Sequence, residues 1–161
     1  MTFTLAMTVN GQAVALAIRP EELLLDVLRD RLGLRGAKRS CDVQVCGACT
    51  VLLDGLPVSS CSLLAYEARG RTVVTIEGLA EGERLHPLQE SFITESAVQC
   101  GYCTPGMILA AKALLDERPQ ATDAEIREHL RGNICRCTGY TNILTAVAGA
   151  RVALARRAAP A

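Results

Sequence analysis

Tryptophan is absent from the chain, and phenylalanine and tyrosine occur only two and three times. Half of the residues are nevertheless hydrophobic, so the core must be aliphatic and rich in alanine, and the composition is that of a folded chain, not a disordered one. Neither sign of charge dominates: 17 Lys and Arg stand against 17 Asp and Glu, with no run of like charge. That removes the electrostatic footprint of a nucleic-acid or anionic-membrane partner. No stretch approaches the ~20 apolar residues of a membrane span, so no membrane span is expected. The opening residues MTFTLAMTVNGQ hold no Lys, no Arg and no long apolar segment, which argues against a secretory signal and predicts a cytoplasmic protein. Histidine is scarce too, limited to His86 and His129.

What the chain does have is eight cysteines. Where thiols are kept reduced, a cysteine-dense pattern points to metal more than to disulfides. At 161 residues there is room for one ordinary domain or two small ones.

The periodicity divides the chain. Residues 2 to 19 form two apolar runs around Asn10-Gly11, the dipeptide best suited to the positive φ angles of a hairpin turn. Pro20, Glu21 and Glu22 open LLLDVLRDRLGL, in which Leu24, Leu25, Leu28 and Leu32 recur at helical spacing before Gly33. Short strands are expected at 50–53, 57–60 and 71–76. The polar, turn-rich segment GLAEGERLHP then marks a boundary. Beyond it the pattern is helical, with helices expected at about 87–97, 105–117, 123–131 and 141–157. Thr104 is placed at an N-cap with Pro105 first in its helix, and Thr122 with Glu125 reads as a capping box. The fold class is therefore α+β: a small sheet domain over 1–78, a linker at 79–86, and a four-helix bundle over 87–161 with a frayed tail, ALARRAAPA.

Cys41, Cys46, Cys49 and Cys61 have the form C-x4-C-x2-C-x11-C, which matches the plant-type spacing for a 2Fe-2S cluster. If Asp54-Gly55 is a two-residue turn, Cys49 falls opposite Ser60 and about 5 Å from Cys61 across the ladder. Gly47 and Ala48 are small where backbone amides should approach sulfide. Cys100, Cys103, Cys135 and Cys137 form C-x2-C-x31-C-x-C, which no single loop can gather. A helix after Cys103 runs ~18 Å at 1.5 Å per residue, stops at Arg118-Pro119, and a second helix returns Cys135 to the starting end. Helix N-termini following Cys103 and Cys137 would favour a cluster that carries net negative charge. A structural zinc site, which also takes four thiolates, is the alternative for either set. Histidine ligation is not expected, because His86 and His129 lie away from both.

CGACTVLLDG, SCSLLA, TIEGLA, QCGYCTPGM and GNICRCTGYTNI, in this order and at these spacings, resemble the small iron-sulfur subunit of the molybdenum hydroxylases, the xanthine dehydrogenase family. The likeness is greatest to the small subunits of its three-subunit members, such as carbon monoxide dehydrogenase, isoquinoline oxidoreductase and nicotine dehydrogenase. The resemblance implies a β-grasp ferredoxin-like domain followed by a helical 2Fe-2S-binding domain, with all eight cysteines as iron ligands. It implies a large subunit bearing molybdenum pterin, as molybdopterin cytosine dinucleotide, and a medium subunit bearing FAD or another electron acceptor, in a dimer of heterotrimers. Electrons would pass from the molybdenum centre to the helical-domain cluster, then to the ferredoxin-type cluster, then to FAD. Gln99 and Cys137 take the family's pterin-contact positions, whereas without the motif Gln99 reads as an exposed helix-end amide. Many relatives have glycine-rich residues between the first two cysteines, where this chain has Asp42, Val43, Gln44 and Val45, so the backbone of that loop is open. A free-standing ferredoxin-like carrier or a zinc-bound interaction module is the alternative function.

Overall fold

A computed structural model describes residues 2–158. Strands β1 (Phe3–Val9), β2 (Gln12–Ile18), β3 (Thr50–Leu53), β4 (Leu56–Ser59) and β5 (Thr72–Val74) form a mixed sheet in the order β2-β1-β5-β3-β4. Only the β1–β5 pairing is parallel. Both expected turns form: Asn10 and Gly11 have φ of 50° and 78°, Asp54 and Gly55 of 50° and 83°. Such angles match the twist of antiparallel strands. They set Val9 opposite Gln12 and Leu53 opposite Leu56.

In the sheet half, the first helix and the last strand differ most from the sequence expectation. The first helix shrinks to α1 (Leu24–Asp26) and continues as a π-helical turn over Val27–Arg31, closed by Leu32 N–H to Val27 O at 3.1 Å. Val27 lies with Leu24, Leu25 and Leu28 in the core, and Leu32 is half-buried against it. Strand β5 ends at Val74 because Asn10 captures Thr75: its Oδ1 accepts from Thr75 N–H at 2.8 Å, and its Nδ2 donates to Thr75 Oγ1 at 2.9 Å.

Helices α2 (Pro87–Thr94), α3 (Thr104–Glu117), α4 (Asp123–His129) and α5 (Tyr140–Ala158) enclose a second core. It is built of Leu, Ile and Ala around one aromatic ring, Phe92. Helix α3 starts one residue earlier than expected, with Cys103 as its N-cap and Thr104 as its first residue. The capping box at Thr122 is present, Glu125 N–H reaching Thr122 Oγ1 and Thr122 N–H reaching Glu125 Oε2. Most of the tail expected to fray is helical through Ala158, and 159–161 lie outside the described residues. Among the described residues no helix is long and apolar enough to cross a membrane.

The two cores meet across β3, whose four residues are all buried. Val51 and Leu53 face the first core, while Leu52 packs with Leu109 and Ala113 of α3. TVLL shows no alternation because it is covered on both faces.

A second capping box, missed in the sequence, opens α2: His86 Nδ1 accepts from Leu88 N–H at 3.2 Å, and His86 N–H donates to Gln89 Oε1 at 3.0 Å. Burial, then Lys112, lowers the His86 pKa, with Arg157 adding and Asp116 and Glu81 opposing. The native state thus favours neutral imidazole. Stability is full above the unfolded-state value of about 6.5 and is lost as pH falls through the lower folded value. Losing the cap costs about 1 kcal/mol, or roughly 2–4 °C in a chain of this size. Melting temperature is therefore expected to fall more between pH 7 and 5 in the native chain than in His86→Asn, which keeps an acceptor that does not titrate. Equal slopes would remove His86 from the acid response.

Candidate metal centres

The first set is carried by a tight loop and a hairpin. Between Cys41 and Cys46 the chain turns through left-handed conformations at Asp42 (φ 56°) and Gln44 (φ 60°), then at Gly47 (φ 68°). The loop therefore keeps a geometry suited to glycine without glycine at 42 and 44, at the cost attached to strained backbone at functional sites. The winding turns amides inward: Val43, Cys46 and Val45 N–H groups face the Cys41 sulfur, the Cys46 contact being 3.4 Å. They lower the Cys41 pKa to about 6. Across the hairpin, Ser60 N–H and Oγ both donate to Cys49 O, at 3.4 and 2.7 Å. This is the register expected from Asp54-Gly55, and it sets the Cys49 and Cys61 thiols side by side. Burial, with the neighbouring Cys61 thiol, pushes Cys49 up to about 11. Leu24 N–H to Leu63 O and Leu25 N–H to Ser60 O tie the start of α1 to the segment bearing Cys61.

The second set is gathered by α3 and α4, as the helical-hairpin argument anticipates. The Cys103 thiol meets that of Cys135, and the Cys100 thiol meets that of Cys137. Burial, then Cys135, pushes Cys103 up to about 12. The Tyr102 amide, 3.5 Å from the Cys100 sulfur, is the main cause that lowers the Cys100 pKa. For Cys137 the Cys100 amide favours the thiolate, but the Cys100 thiol and desolvation outweigh it and the shift is upward. Gly139 N–H points at Cys135 Sγ at 3.4 Å. Gln99 is exposed, and its Nε2 would lie 3.2 Å from a Cβ at Gly139, so it borders this set.

All eight thiols are free. Among the described residues no three His, Cys, Asp or Glu crowd one point. The thiols stand in facing pairs, Cys41 with Cys46, Cys49 with Cys61, Cys100 with Cys137 and Cys103 with Cys135, and backbone amides reach the sulfurs of Cys41, Cys100 and Cys135; such a set would supply the four thiolates of a two-iron cluster. The donor chemistry fits a 2Fe-2S cluster in each place.

The sets are joined by backbone. Ile134 N–H, next to Cys135, donates to Cys46 O at 2.9 Å. Buried Asn133 donates from Nδ2 to Gly47 O at 3.1 Å. A Cβ on Gly47 would stand 2.3 Å from Asn133 Nδ2, and one on Gly106 would stand 2.1 Å from Gly47 O. Gly47 is thus small for inter-half packing, a role absent from the sequence reading, which assigned it to amide approach alone.

Two domain families match, with little overlap. A 2Fe-2S iron-sulfur cluster binding domain covers residues 7–76 and a 2Fe-2S binding domain covers 75–148, so each contains one cysteine set. The nicotinate dehydrogenase small FeS subunit of Eubacterium barkeri is 49% identical over 89% of this chain and 92% of its own. The chain belongs to the small iron-sulfur subunits of the molybdenum hydroxylases. The nicotine 6-hydroxylase small subunit of Paenarthrobacter nicotinovorans is 47% identical over 86% of this chain and 84% of its own length. Among solved structures, quinoline 2-oxidoreductase from Pseudomonas putida 86 superposes with a TM-score of 0.92 at 43% identity, covering 98% of both chains. Aldehyde oxidoreductase from Desulfovibrio desulfuricans superposes at 0.91 with 44% identity over 95% of the small subunit, which is 17% of that chain. The fold of this small subunit thus also occurs within a much longer polypeptide.

Proposed function

We propose that this subunit conducts electrons from a molybdenum pterin on a large subunit, through the helical-domain cluster and then the ferredoxin-type cluster, to FAD on a medium subunit or to another acceptor. Iron pairs of this kind supply one-electron storage at each station. The observation that carries the reading is the hydrogen bond from Ile134 N–H to Cys46 O, which joins a peptide adjoining one cysteine set to a cysteine of the other. The eight cysteines hold the irons: Cys41, Cys46, Cys49 and Cys61 one cluster, Cys100, Cys103, Cys135 and Cys137 the other. Gly47 and Asn133 are buried in the seam between the two sets.

Gln99 and Cys137 lie at the pterin end. Exposed apolar side chains flank both termini of the route: Val98, Ile134 and Tyr140 near the second set, Val43 and Val45, 66% and 57% exposed, on the first loop. Such surface suits burial against larger partners better than it suits a free carrier. Residues 1–78 form the β-grasp ferredoxin-type domain, 79–86 the connection, and the chain from 87 the helical bundle. A cytoplasmic dimer of heterotrimers is the assembly this reading expects.

The purified complex is expected to hold about four irons per small subunit, with two distinct EPR signals on reduction; stoichiometric zinc with no visible chromophore would overturn the assignment. Gln99→Ala should leave both signals intact and slow cluster reduction by substrate. Unchanged kinetics in the intact complex would take Gln99 off the route.

A further inference from the structure

Lys38 stands in the seam between the two cysteine sets. Its N–H donates to Ala48 O at 2.9 Å, which fixes its backbone against the first loop. Its ammonium donates to Gly36 O at 2.8 Å and lies 5.8 Å from the centre of the Tyr102 ring. A cation over an aromatic face at that distance is held by the ring quadrupole. Tyr102 in turn spans the seam: its N–H approaches Cys100 Sγ at 3.5 Å, and its hydroxyl donates to Arg39 O at 2.5 Å, two residues before Cys41.

The charges that bear on Lys38 are those of Arg29, Glu77 and Cys103. Glu77 is engaged elsewhere, accepting from Gly36 N–H and the Thr75 hydroxyl. Neighbouring Arg39 is paired with Asp26 and Asp42. Lys38 has no carboxylate within ion-pair distance among the described residues, and the Glu77 carboxylate, which does bear on it, is opposed by Arg29. A four-thiolate 2Fe-2S cluster carries net negative charge that grows on reduction, and a fixed, half-buried cation beside it favours the reduced form.

We propose that Lys38, seated on Tyr102, is an electrostatic positioning residue for electron transfer: its ammonium raises the reduction potential of the helical-domain cluster and so sets the potential step between the two clusters. This rests on the reading that both cysteine sets hold 2Fe-2S clusters. The Tyr102 hydroxyl bond to Arg39 O keeps the ring, and with it the ammonium, at a constant place between the halves.

The test is an EPR-monitored redox titration of the intact complex carrying the native chain, Lys38→Met or Lys38→Arg. Lys38→Met is expected to shift the reduction equilibrium of the helical-domain cluster about tenfold toward the oxidised form, 59 mV for a one-electron couple. The ferredoxin-type signal moves less, and Lys38→Arg holds both near the native values. Tyr102→Phe keeps the ring but loses its bond to Arg39 O and should reproduce a small part of the shift, and Tyr102→Leu, which also removes the ring, a larger part. If the methionine variant does not assemble with full iron content, Lys38→Gln supplies the same comparison. The proposal is overturned if the helical-domain cluster does not move without the cation, if arginine shifts it as much as methionine, or if the ferredoxin-type cluster moves more. Loss of both EPR signals in the native complex would instead overturn the cluster assignment itself.

Discussion

Gly106→Ala is expected to destabilise the protein by about 2–3 kcal/mol, which lowers the melting temperature by roughly 4–12 °C. Helix propensity alone predicts the opposite, because alanine is favoured over glycine by about 1 kcal/mol within a helix. The steric side decides. The new methyl group would stand 2.1 Å from Gly47 O, a backbone oxygen that cannot rotate away. That oxygen accepts from Asn133 Nδ2 at 3.1 Å, from Thr50 N–H at 3.2 Å and from Thr50 Oγ1 at 2.8 Å. Relief requires moving either the N-terminus of α3, with Cys103, or the loop carrying Cys46. Either motion pulls on the contact between Cys46 O and Ile134 N–H. Thermal melting of the iron-loaded complex checks the sign, and stopped-flow reduction checks the electrical consequence, a slowed transfer between clusters. A variant that melts at or above the native temperature would show that α3 backs off the loop at no cost.

Cys135→Ser should lose one cluster and keep the other, so that iron falls from about four to about two per chain and one reduced-state EPR signal disappears. Serine is nearly isosteric, but its harder oxygen is a poorer ligand than thiolate for iron-sulfur chemistry. The position is buried and its backbone N–H is already held by Tyr140 Oη at 2.9 Å, so the chain around it keeps its course. What changes is the donor facing Cys103. The first set shares no thiol with the second and should retain its signal. Metal binding in such sites also contributes folding free energy, so the helical half should become the more protease-sensitive one. Retention of four irons would show that Cys135 is not a ligand.

Much of the metal-site arrangement was legible because the cysteines sit beside strong local signals. Asp54-Gly55 fixes the β3–β4 register, and register fixes which residue faces Cys49. Pro119 and the Thr122 capping box fix where α3 ends and α4 begins, which returns Cys135 to Cys103. The rest depends on contacts between residues far apart in sequence. Nothing local in GLRGAK marks Lys38 as lying against the ring of Tyr102. Gly47 and Gly106 read as ordinary small residues until the two halves are docked. The π turn at Val27 is not marked either, since Leu24, Leu25, Val27 and Leu28 have the spacing of an ordinary α-helical face. The one local hint of docking was the unbroken apolar run of β3, since a strand with one wet face alternates.

Because β3 is clasped from both sides, the order of synthesis matters. Residues up to Val74 complete the five-stranded sheet, yet the side of β3 bearing Leu52 stays uncovered until residues 104–117 have left the ribosome and α3 can pack there. The nascent chain therefore presents the apolar Leu52 side of β3 to solvent throughout that interval. Once α3 has settled, Leu109 and Ala113 cover Leu52, so a sheet complete in its strands is complete in its burial only when the helical half has been made.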